Sequence, residues 1–414
     1  MRKITLLFTL LVFSCFYAQE RTCGQENAMQ QLQFNPLMQA KYQQQMQLSQ
    51  QAYDNMLNSQ NIINNVNTTL YIPVAIHYPD AGSANATLKN CMRQLAQDQV
   101  DILNEDYNAY NADIATWDNT TSTYFPGVNK GIMNVEFVVS TLNHPAGSGL
   151  VNGEPAITFG YDFGGPGNSD WDSNWAGYLN IVVKNLSGGT LGYAYLASNP
   201  QDGAAVFIDN GAFGSGSGCT GYVPGAPYNL GRTLTHELGH YMNLNHIWGN
   251  GTCGNDFVAD TPQHNTSNGG CPPISHLSTC TGTPRELTMN YMDYTNDACM
   301  YMFSAGQAVR MQAHISTIES NFNYNTLAND SFDVRKIKIA LYPNPNNGVF
   351  DVTLSNNNII DSVVVYDITG RLVFEQNNIN NDLLRINLSE SNAGIYTIVV
   401  KSDSGIFNSK MVIK

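Results

Sequence analysis

The chain runs to 414 residues, enough for two or three domains with a sizeable core, and 43% of them are hydrophobic, with 22 Tyr and 17 Phe, which excludes a generally disordered polypeptide. Acidic residues number 33 against 19 basic ones, a net charge of −14 with only 13% of residues charged. That balance argues against a nucleic acid or an anionic membrane as partner.

Residues 1–19 join a basic start (Arg2, Lys3), an apolar run over 4–16 and a short polar exit at Ala18 and Gln19, the pattern of a secretory signal peptide. The run is shorter than the roughly 20 residues a membrane span needs, and no later segment is apolar enough to span. A lipidated Cys15 is the other reading of this end, which Phe13 suits poorly. Export makes the eight cysteines readable. Cys15 leaves with the signal peptide, and Cys253, Cys271, Cys280 and Cys299 cluster as a disulfide framework with three connectivities open. Cys23, Cys91 and Cys219 remain, an odd number for an oxidising compartment.

Residues 20–67 are rich in Gln, Asn and Met with little to build a core, and read as a removable pro-segment. Over 68–325 the pattern predicts a strand at 70–76, a helix at 88–107 with an apolar stripe of Leu88, Met92, Leu95, Ile102 and Leu103, and strands at 132–140, 178–183 and 204–208. That order predicts an α+β domain, a mixed sheet backed by a helix. Over 336–414 alternating strands at 363–366, 372–374, 384–386, 395–400 and 410–413 predict a small all-β, Ig-like sandwich. Its phrases, Tyr342-Pro343-Asn344-Pro345, Val365-Tyr366-Asp367 through Gly370-Arg371, Gly394-Ile395-Tyr396 and Lys410-Met411-Val412-Ile413-Lys414, resemble the C-terminal sorting domain of type IX secretion. The resemblance implies an address read by the outer-membrane secretion machinery of a Gram-negative cell, with release or surface attachment following. A carbohydrate-binding or adhesive sandwich is the other reading.

The chemistry concentrates in His236-Glu237-Leu238-Gly239-His240-Tyr241-Met242-Asn243-Leu244-Asn245-His246. A helix turns about 100° per residue, so His236 and His240 share a face and can bind one ion, with Glu237 placed to act on water beside it. His246 joins them only if the chain turns sharply, and Asn243, the non-glycine residue most tolerant of positive φ, stands where the turn must fall. Three imidazoles leave one position open, the arrangement of a catalytic rather than a structural zinc.

Downstream, Asn290-Tyr291-Met292-Asp293-Tyr294 resembles the Met-turn of metzincins. Together with the zinc helix, the four cysteines, Tyr178-Leu179-Asn180-Ile181 and Gly188-Gly189-Thr190-Leu191-Gly192-Tyr193-Ala194, it resembles the pappalysin family of metzincin endopeptidases over residues 70–321. The resemblance implies a twisted mixed sheet above an active-site helix, a lower subdomain built on the Met-turn at Met292, and hydrolysis of internal bonds in protein or peptide substrates. It further implies the pairs Cys253–Cys280 and Cys271–Cys299, Tyr294 as a stabiliser of the reacting carbonyl, residues 188–194 as the cleft's edge strand, and a calcium loop at Asp256, Asp260 and Thr261. In relatives a pro-segment cysteine caps zinc, which gives Cys23 the role of a latency switch and leaves Cys91 and Cys219 free to pair. Some relatives hold a basic side chain on an acidic residue just after the Met-turn. Here Asp297 is available, but Met300 suggests an apolar floor, and no Arg or Lys occurs over 42–88 where the pro-segment should be cut, so the reading leans away from a strict basic preference. Two other functions stay open: an inactive protease fold serving as a surface binding or adhesive protein, and a zinc hydrolase of non-peptide substrates.

Overall fold

The Gln-rich stretch that follows Arg21 forms two helices, α1 (Gln25–Leu32) and α2 (Pro36–Asn58). In α2 only Gln45, Ser49 and Tyr53 are buried, four residues apart and therefore on one face. That face lies on the last helix of the same unit: Gln45 Nε2 donates to Thr317 Oγ1 at 2.7 Å, Ser49 Oγ bonds His314 Nδ1 at 2.8 Å, and the Arg310 guanidinium sits 5.3 Å from the centre of the Tyr53 ring. This computed structural model describes residues 21–58, 69–167, 169–327, 339–354, 359–367, 371–402 and 405–414. The signal peptide expected over 1–19 lies outside them. The chain divides into two compact units, between Thr326 and Leu327.

The first unit is built on β1 (Leu70–Tyr78), whose residues from Ile72 onward are all buried. Beside it lie α3 (Ala86–Tyr107), the short α4 (Ile114–Asn119), β2 (Val135–Val139), β3 (Ile157–Phe159), β4 (Leu179–Lys184), β5 (Gly192–Tyr193) and β6 (Ala205–Asp209). The sheet order is β2-β1-β4-β6-β5, with β3 also on β1. All pairs are parallel except β5 with β6, so the antiparallel β5 forms the edge. The near-continuous apolar strands suit a sheet covered on both faces. On one face α3 lays Met92, Leu95, Ala96, Val100, Leu103 and Tyr107 into the main core; Trp175, Tyr178, Val182 and Phe207 form a second cluster. Asn85 starts α3 by accepting from the Leu88 amide at 2.9 Å.

Two more helices complete the unit, α5 (Arg232–Tyr241) and α6 (Ala305–Ile318). Disulfides join Cys91 to Cys219, Cys253 to Cys280 and Cys271 to Cys299. The last two fasten the long loops between α5 and α6, and Cys23 is the free cysteine among the described residues. Neither β3 nor α6 follows from the sequence patterns above. Three residues are too few for an alternation, and Gly306 interrupts the first turn of α6, although Ser304 and Gln307 form a reciprocal capping box there.

The second unit is a sandwich of antiparallel sheets, one ordered β10-β9-β12-β13 and the other β11-β8-β7. The strands are β7 (Ile339–Tyr342), β8 (Val349–Leu354), β9 (Ile360–Asp367), β10 (Leu372–Gln376), β11 (Leu383–Asn387), β12 (Gly394–Ser402) and β13 (Gly405–Ile413). Phe350, Val352, Val363, Val365, Ile386, Ile398 and Val400 fill the space between them. β7 and β8 are additions to the strands read from sequence, where the Pro343 and Pro345 breaks obscured the alternation.

Candidate active site

Every residue of α5 is buried. Leu234, Leu238 and Tyr241 belong to the core, while Tyr107 of α3 donates its hydroxyl to the Thr235 carbonyl at 3.0 Å. Arg232 in the first turn bonds Asp106 and the Tyr291 hydroxyl, so α3, α5 and the Met-turn share one buried guanidinium. The helix ends at Tyr241, and Asn243 takes φ +73°, the conformation its position calls for. Its amide donates to the His240 carbonyl at 2.8 Å and its own carbonyl accepts from Arg310 Nε at 2.8 Å, fixing the turn to α6. The chain then doubles back and delivers His246.

The side chains of His236, His240, His246 and Cys23 converge, with one ligating atom of each within 4.8 Å of the others. His236 Nδ1 donates to the Tyr291 carbonyl at 2.6 Å and His240 Nδ1 to the Leu244 carbonyl at 2.7 Å. Both Nδ1 protons are thereby committed, and the Nε2 lone pairs face inward. His236 Nε2 is buried with no hydrogen-bond partner, and His240 Nε2 stands 3.1 Å from His246 Nε2. Burial pushes His240 down to about 4, and His236 and His246 well below the ordinary histidine value, the neighbouring imidazoles adding to the effect. Converging neutral imidazoles repel unless a cation lies among them, and tetrahedral ligands about 2.0–2.1 Å from zinc stand roughly 3.3 Å apart. The donor set therefore fits a zinc ion.

Glu237 faces the same space. Burial raises its carboxyl to about 8, and Cys23 Sγ donates to its Oε2 at 3.3 Å. The Cys23 thiol is itself raised, by burial first and then by Glu237. A divalent cation at this point would draw both groups toward their ionised forms. Gly192 of β5 lies so close that a Cβ there would stand 2.8 Å from Glu237 Cγ. The segment around Cys23 runs along that edge, Gly24 donating to the Gly192 carbonyl at 2.8 Å and Leu191 to the Thr22 carbonyl at 2.9 Å.

Met292 lies under α5, where a Cβ on Gly239 would overlap its sulfur. Two residues on, Tyr294 brings its hydroxyl to 3.2 Å from His246 Nε2, and burial, then Cys23 and Glu237, hold that hydroxyl firmly protonated. Trp248 stacks on the His246 ring, centroids 4.4 Å apart. Neither this contact nor the Arg232 linkage has a sequence signal beyond proximity to the motif.

The pocket beside the metal site contains Arg21. Its Nη2 is 2.5 Å from Asp297 Oδ1 and 3.4 Å from Met300 Sδ, its Nη1 donates to Thr233 Oγ1 at 3.2 Å, and Tyr228 lies 4.9 Å beneath it. Both Arg21 and Asp297 are buried. Asp297 and Met300 thus line one pocket, the carboxylate pairing with the guanidinium while the thioether accepts from the same Nη2. Asp256, Asp260 and Thr261 are divided differently: Thr261 Oγ1 donates to Asp256 at 2.8 Å, whereas Asp260 caps α6 through Ser304 Oγ and the Gly306 amide at 2.7 and 2.8 Å.

A family model described as pregnancy-associated plasma protein-A, a peptidase family, matches residues 167–316, and one for a secretion system C-terminal sorting domain matches residues 340–414. Extracellular metalloprotease 1 of Coccidioides posadasii is 40% identical over 136 residues, 33% of this chain and 48% of that protein. An extracellular metalloprotease of Arthroderma benhamiae is 40% identical over 139 residues, 32% of this chain and 49% of that one. The chain spans about half the length of these relatives. Mature mirolysin of Tannerella forsythia, solved with a cleaved peptide, is 33% identical over 63% of this chain and 97% of its own, with a TM-score of 0.50. A promirolysin variant of the same organism is 32% identical over 72% of this chain and 95% of its own, with a TM-score of 0.52. With nearly the whole of promirolysin spanned at that identity, the chain belongs to the pregnancy-associated plasma protein-A family of metallopeptidases, the pappalysins, and carries a secretion sorting domain behind the metallopeptidase fold.

Proposed function

We propose that the chain is a zinc-dependent endopeptidase, made latent by its own N-terminal segment and exported through its C-terminal domain. The observation that carries it is the convergence of His236, His240, His246 and Cys23 beside the buried Glu237 carboxylate. A bound zinc ion would supply the Lewis acid that polarises the scissile carbonyl and eases deprotonation of the attacking water. Glu237, whose affinity for a proton is already raised by burial, accepts that proton and returns it to the leaving amine. The Tyr294 hydroxyl, kept protonated, donates to the oxyanion. The free edge of β5 binds an extended substrate by strand addition, in the place where residues 22–24 now pair.

Latency follows from the same contacts. Cys23 stands among the three histidines, where it would bind zinc as a thiolate, and its thiol donates to Glu237, while residues 22–24 occupy the edge strand. Arg21 fills the pocket on Asp297, and this supports a preference for a basic residue after the scissile bond, against the lean drawn from Met300 and the absence of Arg and Lys over 42–88. The proposed order is a signal peptide at 1–19, a pro-segment at 20–67, the protease domain at 68–325 and the sorting domain at 336–414, with export to the medium or the cell surface. Among the described residues no helix is long and apolar enough to cross a membrane. Calcium rests on the sequence resemblance alone, with Asp256, a buried carboxyl raised to about 6, and Thr261 as candidate ligands and Asp260 engaged at α6.

The test is a mixed peptide library digested by the matured chain and by its Glu237→Gln form, with cut sites read by mass spectrometry. Cleavage before Arg or Lys, lost with Glu237 and with a chelator, is the expected outcome. A folded, zinc-loaded chain that cuts nothing would sink the reading.

A further inference from the structure

The pro-helices cover a surface that belongs to the body of the first unit. Its floor is Trp171 and Tyr195, with ring centroids 4.6 Å apart. Asp170 accepts from the hydroxyls of Tyr193 and Tyr195 at 3.1 and 2.8 Å, so these two tyrosine rings are held from within the body. Ala28 and Leu32 of α1 are buried on this floor, with Met38 and Tyr42 of α2 beside them. At the rim Lys41 Nζ meets Asp202 at 2.5 Å, and Asn199 Nδ2 donates to Gln45 at 3.1 Å. The floor continues the edge strand: Tyr193 ends β5, and just beyond, the Ala197 and Ser198 amides donate to the His240 and Tyr241 carbonyls at 3.2 and 3.0 Å. Tyr195 is three residues from Gly192, about 10 Å of extended chain.

We propose that, once the pro-segment has left, this surface is a second docking site for protein substrates, taking an amphipathic helix with an apolar side chain three residues before a Lys or Arg, as Met38 stands before Lys41. The proposal rests on the endopeptidase reading above. Loss of α1 and α2 bares a contiguous aromatic patch beside the cleft, a feature that marks an interaction site. Rings already held by Asp170 lose little freedom on binding. Asp202, on a strongly acidic chain, selects the sign of the partner.

The probe is a fluorescein-labelled peptide of residues 25–45, which lacks Arg21 and Cys23 and therefore reads the surface without the metal site. Its anisotropy is followed on the full chain carrying Glu237→Gln, cleaved between α2 and β1 and freed of its pro-segment. Saturable binding is expected, weakened about tenfold or more by Trp171→Ala or Asp202→Asn. In the active enzyme, a substrate extended by a helix bearing Met-x-x-Lys should be cut with a KM about tenfold lower than a short peptide spanning only the cleft, and this advantage should vanish in both variants and on addition of the probe. No saturable binding, binding without competition against the extended substrate, or equal KM for the two substrates would each overturn the proposal. Failure to cut the short peptide would instead remove the endopeptidase reading, and the anisotropy would still decide whether the surface binds.

Discussion

Two helices of the first unit are held on opposite terms. α5 has ten residues, all buried, and is anchored by apolar packing and a guanidinium shared with α3 and the Met-turn. α2 has 23 residues and buries three, two of them polar, on α6. A seam made of hydrogen bonds and one stacked tyrosine exchanges protein partners for water at little net cost, since each such bond contributes only about 1 kcal/mol. On the proposed reading, the contrast separates a helix that must never move from one that must leave: catalysis needs preorganised ligands, whereas latency needs a cover that comes off.

The largest effect should come from the fixed helix. Glu237→Gln should keep the metal and lower kcat/KM by about 1,000-fold, within the range assigned to positioned general bases; matched zinc content in wild type and variant is the control. Tyr294→Phe should cost roughly 100- to 1,000-fold in kcat with little change in KM. Asp297→Asn should cut cleavage before Arg by about 100-fold or more, because an isolated buried charge costs several kcal/mol, and should loosen the pro-segment through Arg21 in the same chain.

Acid should weaken the intact chain at the central strand β1 and at the α2 seam. Burial lowers His77, in β1, and His314, under Ser49 at the seam, to about 4. Both are neutral when folded, while the unfolded chain takes up their protons near pH 6.5, so their stabilising effect is present above that pH and is lost as pH falls toward 4. A loss on the order of 2 kcal/mol per histidine by pH 4 is expected in denaturant titrations; a midpoint unchanged between pH 7 and pH 4 would contradict it. The smallest effect belongs to the seam: Tyr53→Ala should speed pro-segment release by about fivefold, from lost burial and the Arg310 contact. A release rate that Tyr53→Ala raises by several orders of magnitude would break the contrast, because α2 would then be held by apolar burial as α5 is.

The metal helix was legible because its chemistry obeys helical period. His236 and His240 are one turn apart, and Asn243 marks the one place where the chain can double back to His246. α3 was legible for the same reason, and β1, β4 and β6 were legible as continuous apolar runs. The α2 seam was not, because Gln45 and Ser49 carry no apolar signal. The pairing of Arg21 with Asp297 spans 276 positions, and only the fold brings them together. Read locally, Met300 pointed to an apolar floor; in space it lies beside the carboxylate that takes the charge.

The most direct test of a metal centre shared by the three histidines and Cys23 is the absorption spectrum of the full chain loaded with cobalt in place of zinc. A thiolate-to-cobalt charge-transfer band is expected in the intact chain, absent in Cys23→Ala and lost when the pro-segment is removed, with the metal retained in all three. A cobalt-loaded intact chain without that band, or a band that survives Cys23→Ala, would contradict it.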